Sequence, residues 1–426
     1  MEVNTLARAA RILAVAAIVP ALCAPAGARP SPDRGGGLPQ VPVGFAVTVY
    51  GRLDGLVTSL AVGPDTRDPK ATRLYVTDFA GGRVLAIDDI GGQGGPPVEF
   101  ATGFRSPLGV LVGEDGTVFV TDAEAPRRGP FGTRTYGRVW KVTDTDSDGV
   151  ADKKTILLKD LPNGRHNTNG MAFGPDGLLY VANGNSTDDG VEGGEPEAQP
   201  LSGSVVRVDP DASKLSAASL PRSAVVATGM RNLYDVAFSP YDEADLLIPM
   251  NGVDDAREGS TGGAPGDPIE NSDDLLYLTD TNGGRDDFGF PSCLYNLEKR
   301  GNLKPYDNPN RKTIAEFGHC PVERVPRPVA SFGLHVSADG AAFQTTKSWG
   351  KDFQNDLFVA EFGNFFGDEV VGHRVVRVEF AKTGQRVVRQ SEFIAGVTPL
   401  DVTFDDAGAM YIADFTGTIL KVDKLI

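Results

Sequence analysis

Histidine is scarce in this chain, and one of its four histidines stands in a strongly polar setting. His166 lies in the segment GRHNTNGM, among Asn, Thr and Gly, directly before a strand-like stretch. An imidazole accepts and releases protons near pH 7, so His166 is the first candidate for proton transfer. The competing interpretation is a structural polar residue. His335, in GLHVSADGAAF, is a second candidate.

A different chemistry is indicated by the acidic segment DTDSDGVAD. It offers Asp144, Asp146, Asp148 and Asp152 as oxygen ligands around a glycine that permits a sharp turn. Hard oxygen ligands at this spacing wrap Ca²⁺ in loops of the EF-hand type. Position twelve holds Thr155 instead of the usual Glu, and the alternative is a solvated acidic turn. Because the segment joins two strand-like stretches, we expect this calcium to be structural.

The first residues have the pattern of an export signal. Arg8 and Arg11 flank the start of the apolar run ILAVAAIVPALCA, and AGA ends at Ala28 as a small-residue cleavage site. Residues 1–28 are therefore predicted to be a secretory signal peptide and residues 29–40 a flexible leader; the alternative is an uncleaved anchor. No later apolar run approaches the roughly 20 residues of a membrane span. The mature chain is expected to be secreted or periplasmic.

The number of cysteines and the net charge narrow the class of protein further. Once Cys23 leaves with the signal, Cys293 and Cys320 are the remaining pair, which in an exported protein predicts a disulfide. Two separate buried thiols are the alternative. The formal net charge is −16, and an acidic surface repels phosphate backbones, so nucleic acid is not an expected partner.

An internal repeat sets the predicted fold. Each copy holds a short β-branched or aromatic strand, a polar loop and a second alternating strand, and further strands stand before and after this pair. Four short strands without a convincing helix are typical of one propeller blade. The second strands of the copies are RLYVTD, TVFVTD, LLYVAN, DLLIPM, DLFVAE and AMYIAD.

Six copies predict an all-β, six-bladed β-propeller of four-stranded antiparallel blades over residues 41–426. The fourth spacing between copies is the longest and holds an insertion at about residues 250–330. The chain ends on a third strand, and GFAVTVYG near the start lacks partners of its own. We expect this N-terminal strand to complete the last blade and close the ring, which removes exposed edges.

The innermost strand of each blade lines a central channel, and the segments that lead into these strands gather at one mouth. His166 lies on one such segment, where polar side chains that face the channel are expected. His335 is expected to lie on a strand that lines the channel. Three acidic residues recur in the inner strands and are expected to anchor neighbouring blades by hydrogen bonds: Asp235, Asp339 and Asp401.

With these residues in hand, the chain resembles the glucose/sorbosone dehydrogenase family of secreted six-bladed propellers. The resemblance covers essentially the whole mature chain. It is carried by the His166 segment with GPDGLLYVANGN, and by GMRNLYDVAFSP, GGRDDFGFPSCLY, HVSADGAAF and DLFVAEFGN. It implies a soluble quinoprotein that uses pyrroloquinoline quinone (PQQ) and calcium, a sugar substrate and an external electron acceptor.

The resemblance also implies residue roles. His166 matches the general base that takes the proton of the sugar C1 hydroxyl while hydride passes to the quinone. Arg231 and Asn232 match an Arg-Asn pair that reaches the quinone oxygens. The segment DFGFP, which ends in Phe290 and Pro291, resembles a segment whose backbone carbonyls help to hold the cofactor's calcium.

Two positions depart from the family pattern. Arg165 stands before the base, where well-known members have an acidic residue. Members place Lys and Arg in the last two blades against the three cofactor carboxylates, whereas the segment GVTPLDVTFDDAG offers Thr398, Leu400 and Asp401. The cations that could compensate are Arg105, Arg165, Lys347 and Arg374.

Three functions therefore remain open. The first is a PQQ-dependent sugar or aldehyde-hydrate dehydrogenase. The second is a calcium-dependent lactonase-type propeller, whose metal would need side-chain oxygens from residues such as Asn167, Asn169, Asn183, Asn232 and Glu361. The third is a non-catalytic binding propeller that has lost the cofactor.

Overall fold

The structure is a computed structural model that describes residues 38–129, 132–187, 199–253, 272–297, 303–308, 314–315, 317–364 and 370–425. The predicted signal peptide and most of the predicted leader lie outside these residues. Within them, no helix is long and apolar enough to cross a membrane.

The described strands form six antiparallel sheets arranged as blades, which confirms the predicted six-bladed all-β fold. The first strand of the described chain, β1 (Phe45–Arg52), is the outer strand of the last blade, blade 6. Blade 1 consists of β2 (Val57–Asp65), β3 (Asp68–Asp78), β4 (Arg83–Ile90) and β6 (Val98–Thr102), with β5 (Gln93–Gly94) paired to β4. Blade 2 consists of β7 (Val110–Val112), β8 (Val118–Ala123), β10 (Gly132–Thr143) and β11 (Lys153–Asn163), with β9 (Arg127–Gly129) paired to β10.

Blades 3 and 4 follow the same order. Blade 3 consists of β12 (Thr168–Phe173), β13 (Leu179–Asn183), β14 (Ser204–Val208) and β16 (Val225–Thr228); β15 (Leu215–Ser216) runs parallel to β11. Two single-turn 3-10 helices, Ala217–Ser219 and Arg222–Ala224, separate β15 from β16. Blade 4 consists of a divided inner strand, β17 (Asn232–Leu233) and β18 (Ala237–Phe238), then β19 (Asp245–Asn251), β20 (Asp273–Asp280) and β24 (Ala330–Leu334).

Between β20 and β24 the chain leaves the blade. It forms β21 (Asp286–Asp287), which runs parallel to β16, and a hairpin of β22 (Cys293–Leu297) and β23 (Leu303–Asp307). Cys293 forms the predicted disulfide with Cys320, at a Cα–Cα distance of 4.8 Å. This covalent link fixes the start of the hairpin to the segment that returns to blade 4.

Blades 5 and 6 complete the set. Blade 5 consists of β25 (Ala338–Gln344), β26 (Asp356–Glu361), β27 (Arg374–Phe380) and β28 (Val387–Ala395). Blade 6 consists of β29 (Pro399–Phe404), β30 (Met410–Asp414), β31 (Thr418–Lys424) and β1. β1 pairs antiparallel with β31, so the last blade contains strands from both ends of the described chain.

The strands have the composition that a half-buried pleated surface favours, and the core lies between neighbouring blades. Each blade packs its second strand against the first strand of the next. Phe119 of blade 2 contacts Phe173 of blade 3 edge to face at 5.6 Å, and Tyr180 of blade 3 contacts Phe238 of blade 4 at 4.9 Å. Such aromatic contacts hold the relative angle of adjacent blades.

Buried carboxylates join the blades at the channel, as the recurrence of Asp in the inner strands predicted. Asp401 of blade 6 accepts hydrogen bonds from the Ser59 hydroxyl, at 2.7 Å, and from the Leu60 N–H of blade 1, at 3.1 Å. Asp235 of blade 4 accepts from the Ala341 N–H of blade 5 at 3.1 Å. Burial raises the pKa of Asp401 to about 6 and that of Asp235 well above its ordinary value. These contacts tie blade 6 to blade 1 and blade 4 to blade 5.

Candidate functional site

Strand direction decides which residues share one face of the propeller. In every blade the first and third strands begin, and the second and fourth strands end, at the same face, because neighbouring strands are antiparallel. We call this the upper face. The links that join one blade to the next lie there, and His166 belongs to the link between β11 and β12. The structure therefore places the first candidate at the upper face.

His166 is held in one orientation by an asparagine. Its side chain is buried, at 7% exposure, and its Nδ1 lies 2.5 Å from Oδ1 of Asn185. The backbones of the two residues are also joined, since the His166 N–H donates to the Asn185 carbonyl at 2.9 Å. Asn185 follows β13 by two residues, so the second strand of blade 3 supports the link that carries the histidine.

The contact also sets the tautomer of the imidazole. Asn185 Nδ2 donates to the Thr187 carbonyl at 2.6 Å, and a carbonyl can only accept. The amide therefore turns its Oδ1 toward His166, and Nδ1 of the neutral ring must carry the hydrogen. This leaves the lone pair on Nε2, and Nε2 is then the atom that can accept a proton.

His166 and Asn232 come together at a glycine. A side-chain carbon built at Gly184 would lie 2.6 Å from Cβ of His166 and 3.2 Å from Oδ1 of Asn232. Both side chains therefore press on the same backbone segment, and any larger residue at position 184 would displace one of them. Two candidates taken from different blades are brought to one place.

Arg231, the neighbour of Asn232, is held inside the protein. Its guanidinium is buried, at 1% exposure, and donates to the carbonyl of Gly252. It lines a cavity of about 10 Å³, close to the space one water molecule needs, together with Phe288 and Phe290 of the segment after β21. Arg231 and Phe290 thus line the same small cavity.

The DFGFP segment is fixed to blade 3 and to the hairpin. The Phe290 N–H donates to the Gly229 carbonyl at 2.8 Å. The Pro291 carbonyl accepts from Nδ2 of Asn308 at 2.8 Å. Gly289 has a φ of +85° and lies against the disulfide, since a Cβ there would fall 2.6 Å from Sγ of Cys293. The disulfide therefore supports the segment that packs on Arg231.

His335 is not on a channel strand, contrary to the sequence-based expectation. It lies in the short link between β24 and β25, half-buried, with a φ of +61°. The link still belongs to the upper face, so His335 shares that face with His166 from two blades away.

The four arginines and lysines that could compensate for missing cations differ in position. Arg105 and Arg165 are half-buried in the links that lead into blades 2 and 3, at the upper face. Lys347 is exposed in the turn after β25, which lies at the opposite face. Arg374 begins β27 at the upper face, and its Nε donates to Oε2 of Glu361 at 2.6 Å. Arg105 and Arg165 are therefore the best placed near His166.

Glu361, at the end of β26, is fully buried in this ion pair. Burial raises its pKa to about 7, against the opposing effect of Arg374. Asp78 with Arg83, and Asp122 with Arg138, repeat the arrangement in blades 1 and 2. The repetition indicates that Glu361 holds the second and third strands of its blade together.

The residues considered for a lactonase metal do not act as one set. Asn183 donates to the carbonyls of Pro162 and Leu201, and Glu361 is paired with Arg374. Asn169 and Asn232 are hydrogen-bonded to each other, at 3.1 Å. Each of these side chains is bonded to a backbone carbonyl, a neighbouring amide or an arginine.

The acidic loop forms far from His166. Asp144, Asp146 and Asp148 hold carboxylate oxygens within 4.8 Å of one another, and they form the one such group of three among the described residues. Asp152 is turned away, because its carboxylate accepts from the N–H of Thr145 at 3.0 Å and from its hydroxyl at 2.5 Å. The loop joins β10 to β11 at the lower end of blade 2, about 30 Å from His166 along an 11-residue strand.

Electrostatics in this loop favour a cation. The pKa of Asp146 is raised, first of all by the charge of Asp148 beside it. Asp144 is half-buried, which alone would raise its pKa, but hydrogen bonds from Thr66 and from the Gly149 N–H hold its pKa below the ordinary value. A divalent ion would relieve the repulsion between the exposed carboxylates.

The sequence reasoning missed the residues that orient the candidates. Asn185 is in the motif NGN after β13, which reads as an ordinary turn. Asn251, at the end of β19, has the sequence pattern of an ordinary strand residue. In the structure it accepts a hydrogen bond from Nδ2 of Asn232 at 2.5 Å. For Asn251 the available signal was its position, because the second strand of blade 4 ends in Asn where the second strands of blades 1, 5 and 6 end in Asp or Glu.

Comparison with known proteins identifies a region of similar sequence. Residues 75–240 match a family model described as "Domain of unknown function (DUF7133)". No curated protein matches the chain.

Solved structures resemble nearly the whole chain in fold. The calcium structure of the Trichoderma reesei carbohydrate-active enzyme of family AA12 has a TM-score of 0.68 and 16% identity, over 91% of this chain and 97% of that one. The holo form of the Coprinopsis cinerea pyranose dehydrogenase PQQ domain has a TM-score of 0.66 and 14% identity, over 92% and 98%. The PQQ-bound aldose sugar dehydrogenase of Streptomyces coelicolor has a TM-score of 0.58 and 18% identity, over 90% and 99%. The expected resemblance is thereby confirmed at the level of architecture: the chain is a six-bladed propeller with the fold of the sugar dehydrogenases.

Proposed function

We propose that this chain is a PQQ-dependent dehydrogenase that oxidises an aldose sugar or sugar aldehyde at C1. The observation that carries the proposal is the His166–Asn185 contact, because it leaves Nε2 of His166 as a proton acceptor at the channel mouth. The fold that the chain shares with PQQ-bound structures supports the choice of cofactor.

The donor set at the upper face fits a polyanionic quinone. PQQ has carbonyl oxygens and three carboxylates, which need N–H donors and cations. Asn232 offers an amide next to His166, and Arg105 and Arg165 lie on the links to blades 2 and 3. Arg231 and Phe290 would form the adjoining wall, since their cavity is too small for a cofactor. Arg374 is paired with Glu361, so it is not assigned to the cofactor carboxylates.

When bound, PQQ supplies the acceptor for the substrate's hydride. The chain itself handles the proton. His166 Nε2 accepts the proton of the C1 hydroxyl. Nδ1 keeps its hydrogen, which remains bonded to Oδ1 of Asn185, so the ring stays in one orientation as it becomes charged. The burial of His166 limits the access of water to the imidazole. It also strengthens the hydrogen bonds of Nε2 with the substrate and of Nδ1 with Asn185.

The acidic loop is proposed to hold a structural calcium through Asp144, Asp146 and Asp148. Its distance from His166 assigns it to stability and not to the reaction. Export to an oxidising compartment is proposed as well, and the Cys293–Cys320 disulfide supports it.

The test is reconstitution of the purified mature protein with calcium and PQQ. The quinone absorbance is followed while aldoses are added with an artificial dye as electron acceptor. We expect saturable binding of PQQ, followed by sugar-dependent bleaching and dye reduction. Absence of PQQ binding at millimolar calcium would refute the dehydrogenase, and the channel would then be screened with lactones and with sugars bound without turnover.

A further inference from the structure

We propose that Asn169, Asn232 and Asn251 form a chain of hydrogen bonds in which each amide has one fixed orientation. This chain presents Asn232 to the ligand solely as a hydrogen-bond donor. The group bound there must then be an acceptor oxygen, that is, a carbonyl or carboxylate. Asn169, Asn251 and Asp339 are positioning residues in this scheme, because they act through Asn232. Only the identity of the ligand rests on the proposed function.

One end of the chain is fixed in blade 5. Asn251 Nδ2 donates to the Ala338 carbonyl at 2.9 Å and to Oδ1 of Asp339 at 3.2 Å. A backbone carbonyl cannot donate, so the amide of Asn251 has one possible orientation. Its Oδ1 therefore points toward Asn232.

The other end is fixed in blade 4 by the backbone. Asn169, from the first strand of blade 3, donates its Nδ2 to the Leu233 carbonyl at 2.8 Å and to Oδ1 of Asn232 at 3.1 Å. The same argument applies, since the Leu233 carbonyl can only accept. Asn169 therefore offers Asn232 a donor and never an acceptor.

Asn232 is consequently locked from both sides. Its Oδ1 accepts from Asn169, and its Nδ2 donates to Oδ1 of Asn251 at 2.5 Å. Rotating the amide by half a turn would oppose donor to donor and acceptor to acceptor. One amide hydrogen of Asn232 is used by Asn251. The second has no protein acceptor among the described residues, and Asn232 is the half-buried member of the chain.

The direction of the chain does not depend on the charge of Asp339. Burial raises the pKa of this carboxyl well above its ordinary value. Its Oδ2 is bonded to the Ser337 hydroxyl at 3.0 Å, which can serve as donor or acceptor. Oδ1 therefore accepts from Asn251 in either state of Asp339.

The first experiment needs no ligand. In ¹⁵N-labelled wild-type protein, the two Nδ2 hydrogens of Asn232, assigned by their loss in Asn232→Asp, should exchange with solvent at clearly different rates. The hydrogen bonded to Asn251 is protected, and the one that faces the ligand exchanges quickly. Equal rates would overturn the proposed lock. In Asn251→Leu the protection should disappear.

The second experiment measures PQQ affinity by absorbance titration in the presence of calcium. Asn251→Leu should weaken binding about tenfold, because Asn232 loses the partner that orients it. The control is Gln344→Leu, which removes an equally buried amide from the lower end of blade 5. It should lower the melting temperature similarly and change the Kd less than about threefold.

The polarity itself is tested by Asn232→Asp against Asn232→Ala. An aspartate offers only acceptors to an acceptor oxygen, so its Kd should exceed that of the alanine variant. The reverse order, or equal losses in Asn251→Leu and Gln344→Leu, would overturn the inference. If wild-type protein bound no PQQ but kept the protected hydrogen, the proposed cofactor would fail while the lock remained.

Discussion

Nδ1 of His166 and Oδ1 of Asn185 lie 2.5 Å apart, and Nδ2 of Asn185 is held by the Thr187 carbonyl. A neutral amide thus occupies a position from which a carboxylate would stabilise the protonated ring. The pair orients the imidazole without adding charge. The basicity of His166 can therefore be changed by replacing the amide of Asn185 with a carboxylate.

Asn185→Asp is expected to raise the pKa of His166, because an adjacent negative charge favours the imidazolium. The base must be neutral to act, so the acidic limb of the kcat/KM profile should move to higher pH by about one unit. Asn185→Leu should lower kcat without that shift. A pH profile identical in wild type and Asn185→Asp would contradict the assignment of His166 as base.

His166→Gln is expected to lower kcat by about 10² to 10⁴ while PQQ affinity stays within a few-fold of wild type. Glutamine is similar to histidine in volume and polarity, so the melting temperature should change little. Steady-state kinetics and thermal unfolding check both. His319→Gln is the matched control, since His319 is exposed and pairs only with Asp307 at 2.8 Å in the described structure. A large loss of stability in His166→Gln with normal kcat would mark His166 as structural.

Calcium is expected to raise the melting temperature through the acidic loop. At 100 times its Kd, one ion that binds only the folded state adds about 2.7 kcal/mol. Asp146→Asn should remove most of this increment, and Asp152→Asn should remove less, because Asp152 is bonded to Thr145. Thermal unfolding with calcium and with a chelator measures the increment. Asp406→Asn, in an exposed turn of blade 6, should respond to calcium like wild type.

The disulfide is expected to contribute about 3.5 kcal/mol to stability, as a cross-link that closes a loop of 27 residues does. Replacing both Cys293 and Cys320 by Ser should lower the free energy of unfolding by that amount. A reducing agent should lower the melting temperature of wild type and leave the double variant unchanged. Equal responses of the two proteins would show that the thiols are not joined in solution.

Ionisation of Glu361 is expected to lower the free energy of unfolding as the pH rises. Its folded-state pKa of about 7 lies above the ordinary 4.5, so its contribution is intact below pH 4.5 and is lost as the pH passes 7. Glu361→Gln cannot ionise, so its stability relative to wild type should increase by about 3 kcal/mol between pH 4.5 and pH 8. Denaturant unfolding at several pH values measures this. Glu392→Gln is the control, because Glu392 is exposed and lies 3.8 Å from the same Arg374.

The repeat made the propeller predictable, because strand pattern and turn residues are local properties of the sequence. It also predicted that the segments leading into the inner strands gather at one face, where the structure brings His166 and Asn232 together. The direction of Arg231 was not predictable, since its burial depends on a hairpin that begins about 60 residues later. An amide in the loop after a strand, such as Asn185, has no sequence signal of its own, and the strand-end position of Asn251 does not reveal its partners. Their roles come from which carbonyl each one faces, and only the folded backbone decides that.

The pairing of β1 with β31 has a consequence for the order in which the protein forms during synthesis. Phe45 lies opposite Lys424, so about 380 residues separate the two partners. At roughly 5 to 20 residues per second, β1 leaves the ribosome some 20 to 75 s before its partner exists. Throughout that interval β1 carries an unpaired edge that other nascent chains can join. Blade 6 is therefore the last to assemble, and delay at its final strand is the point at which newly made copies of this protein are most exposed to mispairing.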